Sequence, residues 1–99
     1  MLRIEFEGSL NDMTMRVEGR FAGTYAKDAL DLVLHKVPSH LLMDLSEVTF
    51  VDAVGEAVLS CFGRLGARFI SNSLYAHDVC ERLQLPLAVK PSSTLPEAT

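Results

Sequence analysis

The chain has 99 residues, of which 48% are hydrophobic and 22% charged, a composition typical of one small globular domain and not of a disordered segment. Its formal net charge of −4 argues against a nucleic-acid binder, because such proteins need Lys and Arg to replace counterions. No apolar run approaches the ~20 residues of a membrane span, and the N-terminus does not resemble a signal peptide. We therefore expect a cytoplasmic protein without direct membrane insertion, in which Cys61 and Cys80 are reduced core thiols.

The N-terminal segment predicts an antiparallel β-hairpin. Leu2, Ile4 and Phe6 alternate with charged residues, and a second alternating run follows over residues 13–18. Residues 8–12 between the two runs have the composition of a turn. Because the charged residues of both strands fall on one face, we expect water on that face and helices on the other.

A first helix is expected between Thr24 and Pro38. Residues 19–24 interrupt the strand pattern, and Thr24 is a candidate N-cap. Pro38 ends the helix, because a proline pushes the preceding residue out of helical geometry. The predicted buried stripe of this helix comprises Ala26, Ala29, Leu30, Val33, Leu34 and Val37.

The most informative stretch is an apolar strand followed by an amphipathic helix. The apolar run at residues 40–45 predicts a buried strand, and Val48, Phe50 and Val51 are expected to carry the chain across its top. Asp52 then has the position of a helix N-cap. Such junctions lie at the carboxyl end of a sheet, where ligands and partners usually dock. The apolar face of the helix comprises Val54, Val58, Cys61, Phe62 and Leu65.

The remaining chain predicts a short strand and a last helix. A glycine inside a helix costs about 1 kcal/mol relative to alanine, so Gly63 indicates close approach to another backbone, while Gly66 is a natural helix stop. A strand at residues 67–71 precedes a helix capped by Ser73. The inner face of this helix comprises Ala76, Val79, Cys80 and Leu83.

The predicted order of elements is ββαβαβα, and strands separated by single helices run parallel. We therefore expect a small α/β domain over residues 1–90. Its mixed sheet has an antiparallel edge strand, and its helices pack mainly on one face. Residues 86–90 are expected to add a brief edge strand, and residues 91–99 to form a disordered tail.

Residues 19–21, 44–55 and 83–85 together resemble the STAS domain, the sulphate-transporter and anti-sigma-factor-antagonist fold. Residues 44–55, Asp-Leu-Ser-Glu-Val-Thr-Phe-Val-Asp-Ala-Val-Gly, match the family pattern Asp-Leu-Ser-x-Val-x-Phe-x-Asp-Ser-Ser-Gly. Residues 19–21, Gly-Arg-Phe, match a Gly-Arg-Leu turn before the first helix, and Leu-Gln-Leu at 83–85 matches the end of the domain. The resemblance covers residues 2–87.

The resemblance implies a non-enzymatic switch or adaptor. Antagonists of this type bind an anti-sigma factor that is also a serine kinase, and the kinase silences them by phosphorylating a serine of the Asp-Ser-Ser-Gly loop. Here Ala53 and Val54 replace the two serines, so phosphorylation at the family position cannot occur, and Ala22 stands where an Asp is common. The partner-binding residues that the resemblance implies are Phe21, Ala22, Thr24, Asp52, Ala53, Val54, Gly55 and Glu56.

Other functions stay open at this point. Short stand-alone STAS proteins also occur as partners of ABC-transporter ATPases in lipid trafficking. A pocket beneath the loop at residues 52–56 could hold a small apolar ligand or a lipid head. A homodimer is compatible with the sequence. An enzyme is the least favoured class, because no nucleophile–base pair is recognisable.

The other reactive side chains are interpreted as structural. Asp44 and Asp52 could approach each other, but a strand-end turn residue and an N-cap explain them more simply. No metal or cofactor site is expected, because the histidines are scattered and no metal-ligand spacing exists. The three histidines are His35, His40 and His77.

Five further polar residues lie within or near the second predicted helix. Ser60 is expected to be a helix residue near the sheet, and Arg64 and Arg68 to serve the helix dipole or face solvent. Ser46 and Thr49 are the hydroxyls nearest to the loop, in a connection expected to be partly buried.

Overall fold

The computed structural model describes residues 2–88, which form a four-stranded sheet and three helices. The predicted order ββαβαβα is confirmed. The tail predicted at residues 91–99 lies outside the described residues. The elements are β1 (Leu2–Gly8), β2 (Met13–Phe21), α1 (Gly23–Lys36), β3 (Leu41–Val51), α2 (Ala53–Arg64), β4 (Arg68–Ile70) and α3 (Leu74–Arg82).

The strands lie in the order β1-β2-β3-β4 across the sheet. β1 pairs antiparallel with β2, whereas β2 with β3 and β3 with β4 are parallel. The predicted mixed sheet with one antiparallel edge strand is therefore confirmed. Beyond β4, Leu87 forms a single parallel bridge with Phe69. Of the edge strand predicted at residues 86–90, the structure describes residues 86–88, and this bridge is the pairing they show.

One face of the sheet carries charged side chains that pair across the strands. Arg16 lies 3.6 Å from Glu5 of β1 and 3.8 Å from Asp44 of β3. Arg3 lies 4.0 Å from Glu18 of β2 and also pairs with Glu5 of its own strand at 2.6 Å. Surface pairs of this kind contribute about 0–1 kcal/mol each, so they favour the observed register more than they add to stability. The solvated face predicted from the alternation is confirmed.

The opposite face of the sheet packs against the helices and forms the core. Cys80 is fully buried, and desolvation raises the pKa of its thiol. Cys61 is only half-buried, and both cysteines are free thiols. The largest fully buried side chains are Met15, Val17, Phe21, Met43, Leu45, Leu59, Phe62, Phe69, Val79 and Cys80.

β3 is longer than the sequence predicts. It runs from Leu41 to Val51, so the expectation that Val48 and Phe50 lie in a connection above the strand is wrong. Residues 16 to 20 of β2 advance four positions while their partners in β3 advance six, from Asp44 to Phe50. β3 therefore accommodates two extra residues as bulges, which interrupt the alternation of buried and exposed positions.

β2 also extends beyond its predicted end. It continues to Phe21, so the turn predicted at residues 19–21 is wrong. Gly19 adopts a positive φ of 102° at the irregular part of the β2–β3 register. Glycine has no Cβ and tolerates this backbone, which keeps the strand continuous up to the start of α1.

The start and the buried stripe of α1 differ from the prediction, whereas its end before Pro38 agrees with it. The helix begins at Gly23 after Ala22, which makes no side-chain capping bond, so the N-cap predicted at Thr24 is wrong. The helix ends at Lys36, and Val37 follows it in a left-handed conformation with 74% exposure. Leu34 is 51% exposed, so the buried stripe is narrower than predicted.

The glycines of α2 have different roles from those predicted. A Cβ on Gly63 would meet side chains, the nearest being Leu85 at 3.4 Å, so the predicted close backbone approach is wrong at this position. The close approach occurs at Gly55, where a Cβ would overlap the carbonyl oxygen of Phe21. Gly66 adopts a positive φ of 100° just after the helix, in agreement with its predicted role as a helix stop.

The start and the inner face of α3 agree with the prediction, and the helix ends at Arg82. The Ser73 hydroxyl accepts the backbone N–H of Ala76 at 3.0 Å and caps the helix. Val79 and Cys80 are buried and Leu83 partly so. Among residues 2–88, none of the helices has the length and hydropathy needed to cross a membrane.

Candidate functional site

The candidate site lies where α1 and α2 begin, at the carboxyl ends of β2 and β3. Phe21 and Val51 are the last residues of these two parallel strands, and they are register partners. Both helices therefore start side by side at the carboxyl end of the sheet. Ligands and partners of open α/β sheets usually bind at this end of the strands.

Asp52 holds the two helix starts together. Its Oδ1 accepts the backbone N–H of Gly55 at 2.7 Å, which confirms the predicted N-cap of α2. The same carboxylate accepts the N–H of Gly23, the first residue of α1, at 3.2 Å from Oδ2. α1 thus receives from Asp52 the capping bond that Ala22 cannot supply. The negative charge also suits both helix dipoles, whose positive ends meet here.

The last residue of β2 also contacts the start of α2. Gly55 sits directly against the carbonyl of Phe21, and no side chain would fit between them. The Phe21 side chain has 0% exposure, so the expectation that it contributes to an exposed binding surface is wrong. Ala22 is half-buried and Thr24 is exposed on the first turn of α1.

An apolar groove lies between the middle of α1 and the first turns of α2. Ala53 and Val54 are the predicted binding residues that line it. Val54 is half-buried and Ala53 is exposed, so part of each side chain is accessible to a partner. Glu56 instead bonds Arg82 of α3 at 2.7 Å. The lining of the groove comprises Lys27, Leu30, Asp31, Ala53, Val54, Ala57, Val58 and Cys61.

A tyrosine attaches α3 to the same carboxyl end of the sheet. The backbone N–H of Val51 donates a hydrogen bond to the Tyr75 hydroxyl at 2.8 Å. Val51 directly precedes Asp52, so this bond fixes the backbone from which the capping carboxylate projects. Nearby, the guanidinium of Arg20 lies 4.4 Å above the ring of Phe50. These tertiary contacts leave no local pattern in the sequence.

The structure keeps the two candidate carboxylates apart. Asp44 lies within β3, where it pairs with Arg16 and accepts the N–H of Ser46 at 3.0 Å. Asp52 follows the end of the same strand, and the seven β3 residues 45–51 lie between the two carboxylates. Residues 2–88 contain no cluster of three or more His, Cys, Asp or Glu side chains suited to a metal ion.

The histidines make separate local contacts. His35 and His40 each place Nδ1 2.9 Å from a backbone carbonyl oxygen. His77 lies on α3 between Ser71 Oγ, at 3.4 Å from Nδ1, and Glu81, at 3.4 Å from Nε2. No local sequence pattern predicts this Ser–His–Glu contact. The side chains of His77 and Glu81 are 48% and 67% exposed, so no cleft shields them from water.

The remaining polar candidates lie on known elements. Ser46 is half-buried in β3, and its hydroxyl accepts the N–H of Asn72 at 3.1 Å. Thr49 is exposed in β3, so the partly buried connection predicted for it is wrong. Ser60 is half-buried on α2, and Arg64 is exposed at the end of that helix.

A more enclosed apolar cavity lies at the opposite end of the helices. Its volume is about 200 Å³, and Val33, Leu41, Phe62 and Leu65 contribute to its wall. Val33 lies in the C-terminal half of α1, Phe62 and Leu65 at the end of α2 and just after it, and Leu41 at the start of β3. The ligand pocket that the sequence analysis placed beneath the loop at 52–56 therefore does not coincide with this cavity.

Comparisons with known proteins give a consistent result for the fold. Neither a protein-family model nor a curated protein matches the sequence. The structure resembles an anti-sigma factor antagonist from Mycobacterium paratuberculosis, with a TM-score of 0.73 and 17% identity over 93% of this chain and 89% of that one. It also resembles the anti-sigma factor antagonist SpoIIAA in its unphosphorylated form, with a TM-score of 0.62 and 12% identity over 89% and 88% of the two chains.

A third solved structure extends the same likeness. It is an uncharacterized protein of the DUF3478 family from Shewanella loihica with a SpoIIAA-like fold, and it has a TM-score of 0.56 and 15% identity over 90% of this chain and 83% of that one. Identities this low show the fold alone. The chain is a STAS-like α/β domain with the fold of the anti-sigma factor antagonists, in agreement with the resemblance seen in its sequence.

Proposed function

We propose that this chain is a non-enzymatic protein-interaction module that binds an anti-sigma factor or a related serine-kinase-like protein. The supporting observation is the half-exposed Val54 in the apolar groove, on a helix start that Asp52 holds against α1. Two of the similar structures are anti-sigma factor antagonists, which makes an anti-sigma factor the first partner to test.

The groove has the physical features of a docking surface. Its centre is apolar, and Lys27 and Asp31 provide polar groups along the α1 side, as in interfaces with an apolar core and a polar rim. The surface is also held in place before binding, because Asp52 fixes α1 and α2 relative to each other. Preorganisation of this kind reduces the ordering cost that association would otherwise incur.

The proposed surface works without phosphoserine control. Ala53 and Val54 have no hydroxyl group, and the N-cap of α2 is already occupied by the Asp52 carboxylate. A phosphoryl group would add about −1.5 to −2 charges at this position. Without it the surface stays competent for binding, and expression level or the state of the partner controls the interaction.

The experiment compares Val54→Glu with Leu10→Glu as a matched control. Both substitutions place a carboxylate on an accessible apolar residue, but Leu10 is 54% exposed in the β1–β2 turn, at the opposite end of the sheet. Pull-down from host lysate is followed by identification of the retained proteins. We expect the wild type and Leu10→Glu to retain an anti-sigma or kinase-like protein, and Val54→Glu to lose it with an unchanged melting temperature.

Two outcomes would contradict the proposal. Retention of the partner by Val54→Glu would exclude the groove as the binding surface. A gain of one phosphoryl mass at Ser46 or Thr49 on incubation with the retained kinase and ATP, together with loss of binding, would contradict the absence of phosphoserine control. If no mass is gained, Val54→Ser tests whether the kinase still recognises the loop.

The main alternative partner is the ATPase of an ABC transporter, which the same pull-down would identify. A ligand-binding role is supported by the apolar cavity between the C-terminal halves of α1 and α2. Its volume of about 200 Å³ lies below the roughly 300–1,000 Å³ of ordinary ligand pockets. We therefore place the interaction module first. A small molecule retained in native mass spectrometry of the protein from its own host would reverse this order.

A further inference from the structure

The outer edge of β1 is free over the described residues. β1 is the first strand of the sheet and pairs with β2 alone, over seven residues from Leu2 to Gly8. Its outer N–H and C=O groups can therefore accept another strand. The opposite edge of the sheet differs, because Leu87 bridges Phe69 there.

The side chains of β1 form two rows with different chemistry. Leu2, Ile4 and Phe6 lie on the helix side, where they are only partly buried and extend the hydrophobic core to the edge of the sheet. Arg3 and Glu5 lie on the solvated side, and their side chains are 66% and 36% exposed. An added strand would complete the apolar row and face the charged row at the same time.

We propose that a second copy of this chain adds to β1, strand to strand and antiparallel, with Ile4 on the two-fold axis. Directly opposed residues of an antiparallel pair share a face of the sheet. In this register Ile4 faces Ile4 of the second copy, Leu2 faces Phe6, and Arg3 faces Glu5. The pairs Leu2–Phe6 and Arg3–Glu5 each occur twice by symmetry, so these apolar residues meet apolar residues and Arg3 meets a residue of opposite charge.

The two neighbouring symmetric registers are less favourable. Moving the two-fold axis to Glu5 would place the two Glu5 carboxylates opposite each other, and moving it to Arg3 would oppose the two Arg3 guanidinium groups. Like charges in directly opposed positions are destabilising. A shift of one residue that placed the axis between Ile4 and Glu5 would set the apolar row of one strand against the charged row of the other. The sequence of β1 therefore selects the register centred on Ile4.

α1 extends the proposed interface beyond the strand. Lys36 lies 4.8 Å above the ring of Phe6, which shows that this flank of the helix faces the β1 edge. Leu32, one turn earlier, is 44% exposed. Around a two-fold axis near Leu32, Asp28 would oppose Lys36 of the second copy. This contribution is needed, because a stable interface buries about 1,200–2,000 Å² in total and a short strand pair alone buries less.

The proposed dimer leaves the groove between α1 and α2 open. The groove uses Lys27, Leu30 and Asp31 on the other flank of α1. Each copy could therefore still bind one partner. The dimer and the proposed function are independent, so the failure of one does not decide the other.

A charge-exchange experiment tests the register. Arg3→Glu alone places two like-charge pairs in the interface, and so does Glu5→Arg alone. We expect each single variant to dimerise roughly tenfold or more weakly than the wild type. An equimolar mixture of the two variants restores opposite charges at both pairs. Sedimentation equilibrium up to millimolar concentration should show a wild-type dimer, weakened single variants and a heterodimer in the mixture.

Glu7→Arg is the control, because Glu7 has no charged counterpart in the proposed register but would face Arg3 in the register centred on Glu5. We expect it to leave the dimer unchanged. Melting temperatures of all variants show whether each remains folded, since Glu5 also lies 3.6 Å from Arg16. A monomeric wild type, or a mixture that fails to form the heterodimer while both variants stay folded, would overturn the proposal.

Discussion

Replacement of Asp52 by alanine should destabilise the domain more than the loss of an ordinary helix cap. Its carboxylate accepts N–H groups from Gly55 and Gly23, at 2.7 and 3.2 Å. Loss of an N-cap costs about 1 kcal/mol, and a hydrogen bond to a charged group contributes about 1.5–3 kcal/mol. Because the bond to Gly23 is long, we take the lower end and expect a total loss of about 2–3 kcal/mol.

Ser73→Ala is the matched control for this prediction. Ser73 caps only its own helix, through one bond to Ala76 at 3.0 Å, so its loss should cost about 1 kcal/mol. For a domain of this size, 1 kcal/mol lowers the melting temperature by roughly 4–8 °C. Asp52→Ala should therefore lower it by roughly 10–20 °C and Ser73→Ala by about a third of that.

Urea and thermal denaturation followed by circular dichroism would measure both variants. Asp52→Asn adds a second comparison, since the amide oxygen can still cap α2 but carries no charge for α1. Equal losses of stability in Asp52→Ala and Ser73→Ala would refute the reasoning, because the bond to Gly23 would then contribute nothing. The pull-down with the groove partner would also weaken in Asp52→Ala if the orientation of α1 against α2 matters for binding.

Three further predictions concern single positions. Gly55→Ala should lower the free energy of unfolding by about 3 kcal/mol or more, because the added Cβ would overlap the backbone of β2. An unfolding midpoint equal to that of the wild type would contradict the close approach. Gly63→Ala should raise the free energy of unfolding by up to about 1 kcal/mol, since its Cβ meets only ordinary side-chain contacts; a clear loss of stability would show an unrecognised clash. Iodoacetamide at neutral pH should modify Cys61 and leave Cys80 unmodified until the chain unfolds, because burial raises the pKa of the Cys80 thiol; intact-mass measurement with and without denaturant decides this.

The β3–α2 junction was predictable from sequence because its determinants are local. The side chain of Asp52 caps a helix that starts at the next residue, and the apolar residues of α2 repeat at helical spacing. The end of β3 was not predictable by the same means. Its buried positions step by two up to Leu45 and by three from there to Val48 and Val51, because the bulges shift the phase of the alternation.

The parts of the candidate site that sequence reasoning missed are contacts between distant elements. The capping of Gly23 by Asp52 spans 29 residues, and the bond from Val51 to Tyr75 spans 24. The start of α1 was misplaced for the same reason: Thr24 looks like a local cap, whereas the true capping group comes from another element. Such contacts depend on which strands are neighbours, and that information appears only with the sheet order.

The short segment that follows α3 decides how large any assembly through the sheet can become. Phe69 of β4 donates its N–H to the carbonyl of Pro86 at 3.0 Å, and Ala88 donates to the carbonyl of Phe69 at 2.8 Å. This segment thereby occupies the N–H and C=O groups of Phe69, which an incoming strand would need in order to pair with β4. Over residues 2–88, β1 is the edge strand that offers a full run of unpaired groups, so strand addition there ends with a closed pair. Removal of residues 86–88 would expose β4 as a second open edge. Copies could then add at both edges of the sheet, and we expect the variant to assemble into fibres.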